Sequence, residues 1–256
     1  ARSRSLPMAP LLHAGSNCDA LPKLAELPQN FAFKSSHNSG CNMLVIAGKV
    51  SRHNRCMGEE DMTGKNVNDV ALQQYCLAWI SQRYAGSSRE WAYSVMPRSV
   101  VIEELLTRNS NPSLANLADD LKCYDFNGQT AYVVQVSQRY LGDGKTDTYY
   151  EPDGTPRPDI SQWVMRGPGQ WEWTHPLAPG QYLEPAVIQQ AADFCQRAGK
   201  GFDYTRVDLL RDAKGSLYLG EMTLYSAPEW RPAEVGKALS KRWCLSERFV
   251  RRSMDM

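Results

Sequence analysis

The chain has 256 residues, of which 42% are apolar and 22% are charged, and its formal net charge is +1. This composition excludes collagen-like, low-complexity and strongly disordered proteins. Because 29 basic residues face 28 acidic ones, no excess of positive charge is left to bind a nucleic-acid backbone. The longest apolar runs, such as Met43–Ala47, fall far short of the ~20 residues of a membrane span. We therefore expect a globular chain with no membrane span and no nucleic-acid partner.

The seven cysteines are scattered along the chain and include no Cys-x-x-Cys pair of the kind that zinc sites use. An odd number of dispersed cysteines favours free thiols and hence a reducing compartment. The basic residues 1–5 are followed by a short apolar run that Pro7 and Pro10 interrupt, which argues against a signal peptide. These features predict a cytoplasmic protein.

The first elements along the chain are a predicted hairpin and a helix. Residues 27–34 and Asn42–Ile46 lie on either side of the small, polar loop Ser35–Gly40, a pattern typical of two strands and a turn. Across 69–84, apolar residues recur at helical spacing, and Gly86 ends the pattern. The apolar face of this predicted helix consists of Leu72, Tyr75, Cys76, Trp79 and Ile80. We expect the helix to pack on the hairpin.

The middle of the chain predicts three further features. The β-branched run Val100–Ile102 is typical of a buried strand that ends at the acidic pair Glu103-Glu104. Leu121–Val136 reads as a hairpin, since Asn127-Gly128 lies between two apolar runs and is a strong turn signal. Residues 142–180 contain many of the Pro and Gly residues and show little periodicity, which predicts a long loop or lid.

The last predicted elements are a helix and a strand pair. Pro185 stands at the start of a helical apolar pattern that Gly199 closes. Tyr204–Leu210 and Ser216–Met222 follow as two strands joined by a turn that contains Gly215.

This strand pair carries the residues that suggest chemistry. Asp208 and Glu221 lie on neighbouring antiparallel strands, so their carboxylates can converge. Mg²⁺ prefers oxygen ligands, and two carboxylates with phosphate oxygens and water complete its octahedral shell. Arg206 precedes Asp208 by two residues, shares its face of the strand and can stabilise the charge of a transferring phosphoryl group. The pattern therefore indicates phosphoryl transfer with Asp208 and Glu221 as metal ligands.

Several segments, in this order, resemble the ATP-grasp superfamily and, within it, the TupA-like branch linked to teichuronopeptide and other polysaccharide biosynthesis. The similar segments are Phe31–Gly40, Arg98–Leu106, Asp120–Gly128, Phe202–Asp208 and Gly220–Thr223. They extend over most of the chain. The resemblance implies an α+β ATP-grasp fold in which two α+β lobes sandwich ATP. It implies a small lobe over 27–104 with the lysine strand and phosphate loop, and a large lobe over 105–256 with the metal-binding hairpin.

The resemblance also implies a set of ATP contacts. Lys34 would contact the phosphates, and Ser39-Gly40 would lie in the loop that folds over them. The end of the hinge strand, Glu103, Glu104 and Leu105, would face adenine, with Glu103 the preferred carboxylate of the two. Asp120 would hydrogen-bond the ribose hydroxyls.

Catalytic and metal-binding roles follow from the same resemblance. Lys122 would approach the phosphates and Arg206 would stabilise the transferred γ-phosphoryl group. His37, in the flexible loop, could act in proton transfer because its pKa lies near neutrality, or it could merely contact phosphate or solvent. Asp208, Glu221 and Thr223 would hold Mg²⁺, Thr223 standing where ATP-grasp enzymes commonly have Asn. In front of the lysine strand, residues 1–26 form a short extension, so the usual N-terminal domain is expected to be absent or much reduced.

The implied activity is an Mg·ATP-dependent carboxylate–amine ligation through an acylphosphate, which would decorate a polysaccharide or make a small peptide. One alternative is a kinase on the same fold, with Asp203 or Glu229 as the base. Another is a nucleotide-binding module without turnover. The aromatic residues of 142–180 could line an acceptor pocket or simply anchor the loop; they are Trp163, Trp171, Trp173 and the nearby His175.

Overall fold

The structure is a computed structural model that describes residues 6–38, 40–54, 60–82, 92–137, 145–161, 163–167, 170–173, 177, 180–224 and 232–242. The chain divides into two compact units. One consists of Met8–Leu117, and the other of Ala1–Pro7 together with Ala118–Met256. Each contains one antiparallel sheet and a few helices, so the α+β class is confirmed. In the described ranges no helix is long and apolar enough to cross a membrane.

The unit Met8–Leu117 is built on a five-stranded antiparallel sheet with the order β1-β5-β2-β3-β4. Its strands are β1 (Leu11–Gly15), β2 (Phe31–Ser35), β3 (Asn42–Ile46), β4 (Lys49–Asn54) and β5 (Val100–Glu104). Its α-helices are α1 (Asp69–Ser81) and the single turn α2 (Ala92–Val95). The predicted hairpin, helix and hinge strand are therefore confirmed, although α1 ends at Ser81 because the N–H of Gln82 turns back to the Trp79 carbonyl.

One face of this sheet forms the core of the unit. Alternate residues of β2 and β5, among them Phe33 and Ile102, pack with the predicted apolar face of α1. Trp79 is fully buried and its ring stacks on Phe33 with 4.7 Å between the centroids. The residues in between, Lys34 and Glu103, consequently lie on the opposite face of the sheet.

Residues 8–26, expected to form an extension, are instead an integral part of this unit. β1 pairs with β5 from His13↔Ile102 to Gly15↔Val100 and so covers the edge that β5 would otherwise expose. The following turn of 3-10 helix, Cys18–Ala20, is joined to α1 by the Cys18–Cys76 disulfide. The division between the units falls after Leu117, whereas the sequence suggested a boundary after residue 104.

The second unit is built on a seven-stranded antiparallel sheet with the order β10-β9-β8-β7-β6-β11-β12. Its strands are β6 (Asp119–Phe126), β7 (Gln129–Ser137), β8 (Lys145–Tyr150), β9 (Trp163–Gly167), β10 (Gln170–Trp173), β11 (Tyr204–Arg211) and β12 (Leu217–Thr223). Its helices are α3 (Pro185–Gly199) and α4 (Ala233–Ser240). The turn between β6 and β7 has positive φ at Asn127 and Gly128, 52° and 72°, as the hairpin signal requires. This hairpin, helix α3 and the strand pair β11–β12 confirm the predicted elements.

Two layers of side chains cover this sheet. On one face, Leu121, Val207 and Leu209 pack against the amphipathic face of α3. On the other face, Tyr132, Val134 and Tyr149 pack with Val235 of α4. Strands β6 and β11 therefore have one face closed by α3, and the residues that alternate with Leu121 and Leu209 point to the other.

The prediction of a long loop over 142–180 was wrong for much of that segment. It contains β8, β9 and β10, which extend the sheet beyond β7. Of the described Pro and Gly residues, Pro152, Gly154, Pro156 and Pro158 lie between β8 and β9. The strands themselves are short, so the period-two signal is weak. Within 142–180, the residues outside the described ranges are 142–144, 162, 168–169, 174–176 and 178–179.

The expectation of free thiols was also wrong. Cys18 pairs with Cys76, Cys123 pairs with Cys195, and Cys41 is disulfide-bonded as well. The remaining two cysteines, at positions 56 and 244, lie outside the described residues. Chain spacing hides these pairings, because partners 58 and 72 residues apart meet only in the folded units. The argument from cysteine usage for a reducing cytoplasmic compartment therefore no longer holds.

Candidate active site

Three neighbouring strands of the seven-stranded sheet bring most of the predicted catalytic and metal-binding residues together. In the register of β6, β11 and β12, Asp208 stands opposite Lys122 on one side and opposite Glu221 on the other. Arg206 stands opposite Thr223. Since side chains alternate along a strand, all of these residues share one face. It is the face opposite α3.

Asp208 lies at the centre of this group and contacts two cations. Its carboxylate accepts hydrogen bonds from Arg206 Nε at 2.6 Å and from a terminal nitrogen of Arg206 at 2.9 Å. Lys122 Nζ donates to the same carboxylate. Burial alone would raise the pKa of Asp208, but the charges of Arg206 and Lys122 outweigh burial and lower this pKa well below its usual range. Asp208 is therefore ionised at neutral pH.

The remaining residues extend this network. Lys122 Nζ lies 3.2 Å from a carboxylate oxygen of Asp120, and both side chains are buried. The Thr223 hydroxyl accepts a hydrogen bond from Arg206 at 3.0 Å and donates to Glu221 at 3.2 Å. Glu221 is exposed, whereas Thr223 is buried. With all groups ionised, three carboxylates surround two cations, so the cluster is one charge negative.

The oxygen donors of this cluster fit the preference of Mg²⁺. Asp208, Glu221 and Thr223 offer carboxylate and hydroxyl oxygens on one face, which is the donor type that a hard divalent ion selects. In this structure the Asp208 oxygens are engaged by Arg206 and Lys122. Within the described ranges no group of three or more His, Cys, Asp or Glu residues is already arranged around a metal position. Metal binding at Asp208 therefore requires these cations to shift.

In the unit Met8–Leu117, the predicted ATP contacts Lys34 and Glu103 form an ion pair with each other. They project from β2 and β5, where Ala32 stands opposite Glu103 and Lys34 opposite Val101. The side chain of Lys34 is 29% exposed and that of Glu103 is 13% exposed, so both are partly accessible on the face opposite the core.

The predicted hinge residues lie at the end of β5. Glu104 is exposed, and its N–H donates to the Pro10 carbonyl at 3.0 Å. The N–H of Leu105 donates to the Asn30 carbonyl at the long distance of 3.5 Å. Of the two backbone N–H groups, that of Leu105 is thus held more weakly and is the easier one to redirect to another acceptor.

The predicted phosphate loop is described except for Ser39, which lies outside the described residues. Gly40 has a φ of 88°, and a Cβ atom there would meet nothing within 4 Å. Ser36 ties the start of the loop to Ser99, since its N–H and its hydroxyl both contact the Ser99 carbonyl, at 2.9 and 3.1 Å. The loop therefore begins from a fixed point and has open space at Gly40.

His37 is fully buried in this loop. Its Nε2–H donates to the Trp79 carbonyl at the end of α1, 3.1 Å away, and its Nδ1 accepts from the Ser35 hydroxyl at 3.0 Å. Burial lowers the pKa of His37, so the ring is neutral at pH 7. This placement is that of an anchor between the loop and α1.

Sequence reasoning missed Tyr124 and Asp147, which lie on the same sheet face as Asp208. Tyr124 stands opposite Arg206 and follows Lys122 by two residues, so strand alternation alone could have identified it. Asp147 is buried on β8, in register with Val136. No sequence signal pointed to it, because its segment was predicted to be a loop.

The side chains considered for other roles are dispersed. The carbonyl of Asp203, a candidate base, accepts from the Asn127 N–H at 2.8 Å, beside the β6–β7 turn. Trp163 packs partly buried beside the apolar cluster under α4, whereas Trp173 is 49% exposed. The side chain of Trp171 and the residues His175 and Glu229 lie outside the described part of the chain.

Comparisons with known proteins give remote structural likenesses only. No protein-family model matches the sequence, and no curated protein matches it. Among solved structures, D-alanine–D-alanine ligase from Bacillus anthracis complexed with ATP is similar with a TM-score of 0.49 and 13% identity, over 99% of this chain and 65% of that one. The ATP-grasp ligase PsnB with its precursor peptide PsnA2 and AMPPNP has a TM-score of 0.39 and 12% identity, over 88% of this chain and 47% of that one.

A third likeness is N5-carboxyaminoimidazole synthetase from Staphylococcus aureus complexed with ADP, with a TM-score of 0.39 and 10% identity. It covers 90% of this chain and 42% of that one. The chain thus spans about half the length of the PsnB structures, 47% to 56%. At these identities and TM-scores the likeness establishes neither a family nor an activity. The chemistry of this chain must be argued from its own site, a buried, ionised Asp208 between two cations on a face with further oxygen donors.

Proposed function

We propose that this chain is an ATP-dependent ligase of the ATP-grasp type that joins a carboxylate to an amine through an acylphosphate. The observation that carries the proposal is the position of Asp208 between Lys122 and Arg206, with Glu221 and Thr223 beside it. Phosphoryl transfer needs mainly positioning and neutralisation of charge, and this cluster supplies two cations next to oxygen donors. The order of the similar sequence segments supports the same assignment.

The proposed roles follow from the charges. When a polyphosphate binds, Lys122 and Arg206 exchange their bonds to Asp208 for phosphate oxygens, which compensates the negative charge of the phosphates. Asp208, Glu221 and Thr223 are then the residues that would hold Mg²⁺, which when bound neutralises phosphate charge. Asp120 would contact the ribose. Arg206 would stabilise the phosphoryl group as it leaves ADP for the substrate carboxylate.

The second step is acyl transfer. The amine attacks the acyl carbon of the acylphosphate, its excess proton is lost, and inorganic phosphate leaves. The product is an amide. Lys122 and Arg206 hold the departing phosphate, which is the same task as in the first step.

In the unit Met8–Leu117 we propose nucleotide contacts by Lys34 and Gly40, by Ser39 in the same loop, and by the hinge residues Glu103, Glu104 and Leu105. The ion pair of Lys34 with Glu103 supports a role in which Lys34 leaves Glu103 when the nucleotide binds. We assign His37 as a positioning residue, because a fully buried neutral ring with both nitrogens bonded holds the loop to α1.

We also propose a class of substrate. The segments similar to the TupA-like branch favour a glycan carboxylate and an amino-acid amine, or a small peptide. Among the similar solved structures, PsnB is bound to a precursor peptide and another is a D-alanine–D-alanine ligase, which describes those proteins and not this chain.

The test uses trapping of the acylphosphate. The full chain is incubated with Mg·ATP, pooled carboxylates and hydroxylamine, and hydroxamates are measured by mass spectrometry. We expect a hydroxamate that falls by at least about a hundredfold in Asp208→Asn, because a carboxylate that would hold Mg²⁺ is lost. The matched control is Asp193→Asn, an exposed carboxylate on α3, which should retain full activity.

The alternatives give different results in the same experiment. A phosphate ester without a hydroxamate would identify a kinase. Nucleotide binding with neither product from any acceptor pool would identify a binding module. Undiminished formation of the hydroxamate by Asp208→Asn would contradict the role proposed for Asp208.

A further inference from the structure

All five cysteines in the described residues are disulfide-bonded, and all five are buried. They are Cys18, Cys41, Cys76, Cys123 and Cys195. Buried disulfides in both units are typical of proteins that fold in oxidising compartments, and they are rare in the reducing cytosol. We propose that this chain folds and works in an oxidising compartment and that the Cys123–Cys195 disulfide supports the strand that carries the active-site lysine.

The two described disulfides occupy different positions relative to the site. Cys18–Cys76 joins a 3-10 turn to α1 inside the unit Met8–Leu117. Cys123–Cys195 joins β6 to α3 in the other unit and closes a chain segment of 72 residues. A disulfide that closes so long a segment strongly restricts the unfolded chain. The second disulfide therefore fastens β6 to the helix behind it.

β6 is also the strand that carries Asp120 and Lys122. Cys123 follows Lys122 and points to the opposite face, toward α3, where it stands opposite Val207 of β11. The bond of Lys122 to Asp208 requires β6 and β11 to keep their register, whereas Arg206 and Asp208 lie on the same strand. The disulfide joins β6 to α3, and α3 packs on both β6 and β11, so it supports this register from the face opposite Asp208. The relevance of this disulfide to catalysis rests on the proposed function, whereas its effect on β6 does not.

Formation of the disulfides needs an oxidant. Each pair of thiols loses two protons and two electrons as the S–S bond forms, and a disulfide donor takes them up. A thiol–disulfide oxidoreductase or oxidised glutathione is such a donor, and it is reduced to its thiol form. The compartment of this chain must supply one of these.

The first test is the state of the cysteines. The full chain is produced in an oxidising and in a reducing compartment, alkylated without reduction, digested and mapped by mass spectrometry. We expect linked Cys18–Cys76 and Cys123–Cys195 peptides from the first preparation, and a large loss of folded yield in the second. Alkylated thiols at these positions in folded, oxidised protein would overturn the proposal, and so would equal stability of the fully reduced chain.

The second test compares Cys123→Ala/Cys195→Ala with the matched pair Cys18→Ala/Cys76→Ala. Amide hydrogen exchange of β6 is measured in the full chain. We expect exchange to accelerate by about tenfold or more in the first variant and by less than about twofold in the second, since the second pair lies in the other unit. Equal rates in β6 for both variants would contradict the supporting role.

A third arm separates this proposal from the proposed function. Should the first variant fail to fold, graded reduction of Cys18→Ala/Cys76→Ala with a phosphine, with loss of the Cys123–Cys195 peptide followed by mass spectrometry, gives the same readout on β6. Affinity for Mg·AMPPNP is measured on the same samples, and we expect it to fall about tenfold when Cys123–Cys195 is absent. If wild type binds no nucleotide, the proposed function fails, while the exchange data still decide the disulfide proposal.

Discussion

Asp208 lies in the interior of its unit and is nevertheless ionised. Burial of an isolated carboxylate is costly, and here two cations and their hydrogen bonds compensate that cost. Removing either cation leaves the buried Asp208 carboxylate with one cationic partner instead of two. Single substitutions of Lys122 or Arg206 will therefore affect stability as well as chemistry, and ligand affinity must be measured together with folding.

A second buried carboxyl group, Asp125 on β6, has the opposite environment. It is 1% exposed, and neither of its oxygens has a hydrogen-bond partner in the described part of the chain. Burial raises its pKa from 3.8 to about 6. The folded state holds this proton more tightly than the unfolded chain does. The contribution of Asp125 to the free energy of unfolding is therefore complete below about pH 4 and is lost as the pH rises through about 6.

We therefore expect Asp125→Asn to stabilise the second unit at pH 8 relative to wild type. A pKa shift of about two units corresponds to about 3 kcal/mol, and the gain should approach 1–3 kcal/mol at pH 8 and vanish near pH 4. Urea unfolding followed by amide exchange in α3 measures it. A difference between the proteins that does not change with pH would contradict this assignment, and Asp193→Asn serves as the control.

At the scale of elements, the turn after β8 shows how closely the connections pack. Gly154 has a φ of 93°, and a Cβ atom there would lie 2.5 Å from Cα of Pro185, the first residue of α3. Gln189 also donates to the Asp153 carbonyl at 2.9 Å. The turn of 151–155 is therefore fixed against the start of α3.

Gly154→Ala should consequently destabilise the unit by about 3–5 kcal/mol, from the positive φ and from the contact with backbone that cannot move away. Gly180→Ala is the matched control, because Gly180 has a φ of 88° and open space for a Cβ atom. It should cost only about 1–2 kcal/mol. Thermal unfolding of both variants tests this, and equal losses would show that the contact with Pro185 does not contribute.

At the scale of the whole molecule, the two units are connected differently along the chain. Met8–Leu117 is continuous and has its own sheet, core and disulfide. The other unit also uses the first residues of the chain, since Leu6 packs in its core and the Leu219 N–H donates to the Pro7 carbonyl at 2.8 Å. Leu6 and Pro7 therefore belong with the residues after Leu117, and this unit is discontinuous along the chain.

We expect a fragment of residues 8–117 to fold alone and to unfold cooperatively, because its core and sheet are complete. A fragment of residues 27–104, which follows the boundaries suggested by sequence, lacks β1 and Cys18 and should be largely unfolded. Circular dichroism during thermal unfolding distinguishes the two. Similar cooperative transitions in both fragments, or none in the longer one, would contradict the division into units.

Strong local signals in the sequence are enough to predict several elements and the faces of the strands. Asn127-Gly128 specifies a turn, Pro185 starts a helix, and alternation places Arg206 beside Asp208, because each of these rests on a few adjacent residues. The tertiary structure fixes the features that depend on partners far apart in the chain. It paired Cys123 with Cys195, added β8 to β10 at the edge of the sheet, and buried His37 against Trp79. Such contacts join residues far apart in the chain, and their energies appear only once the units are packed.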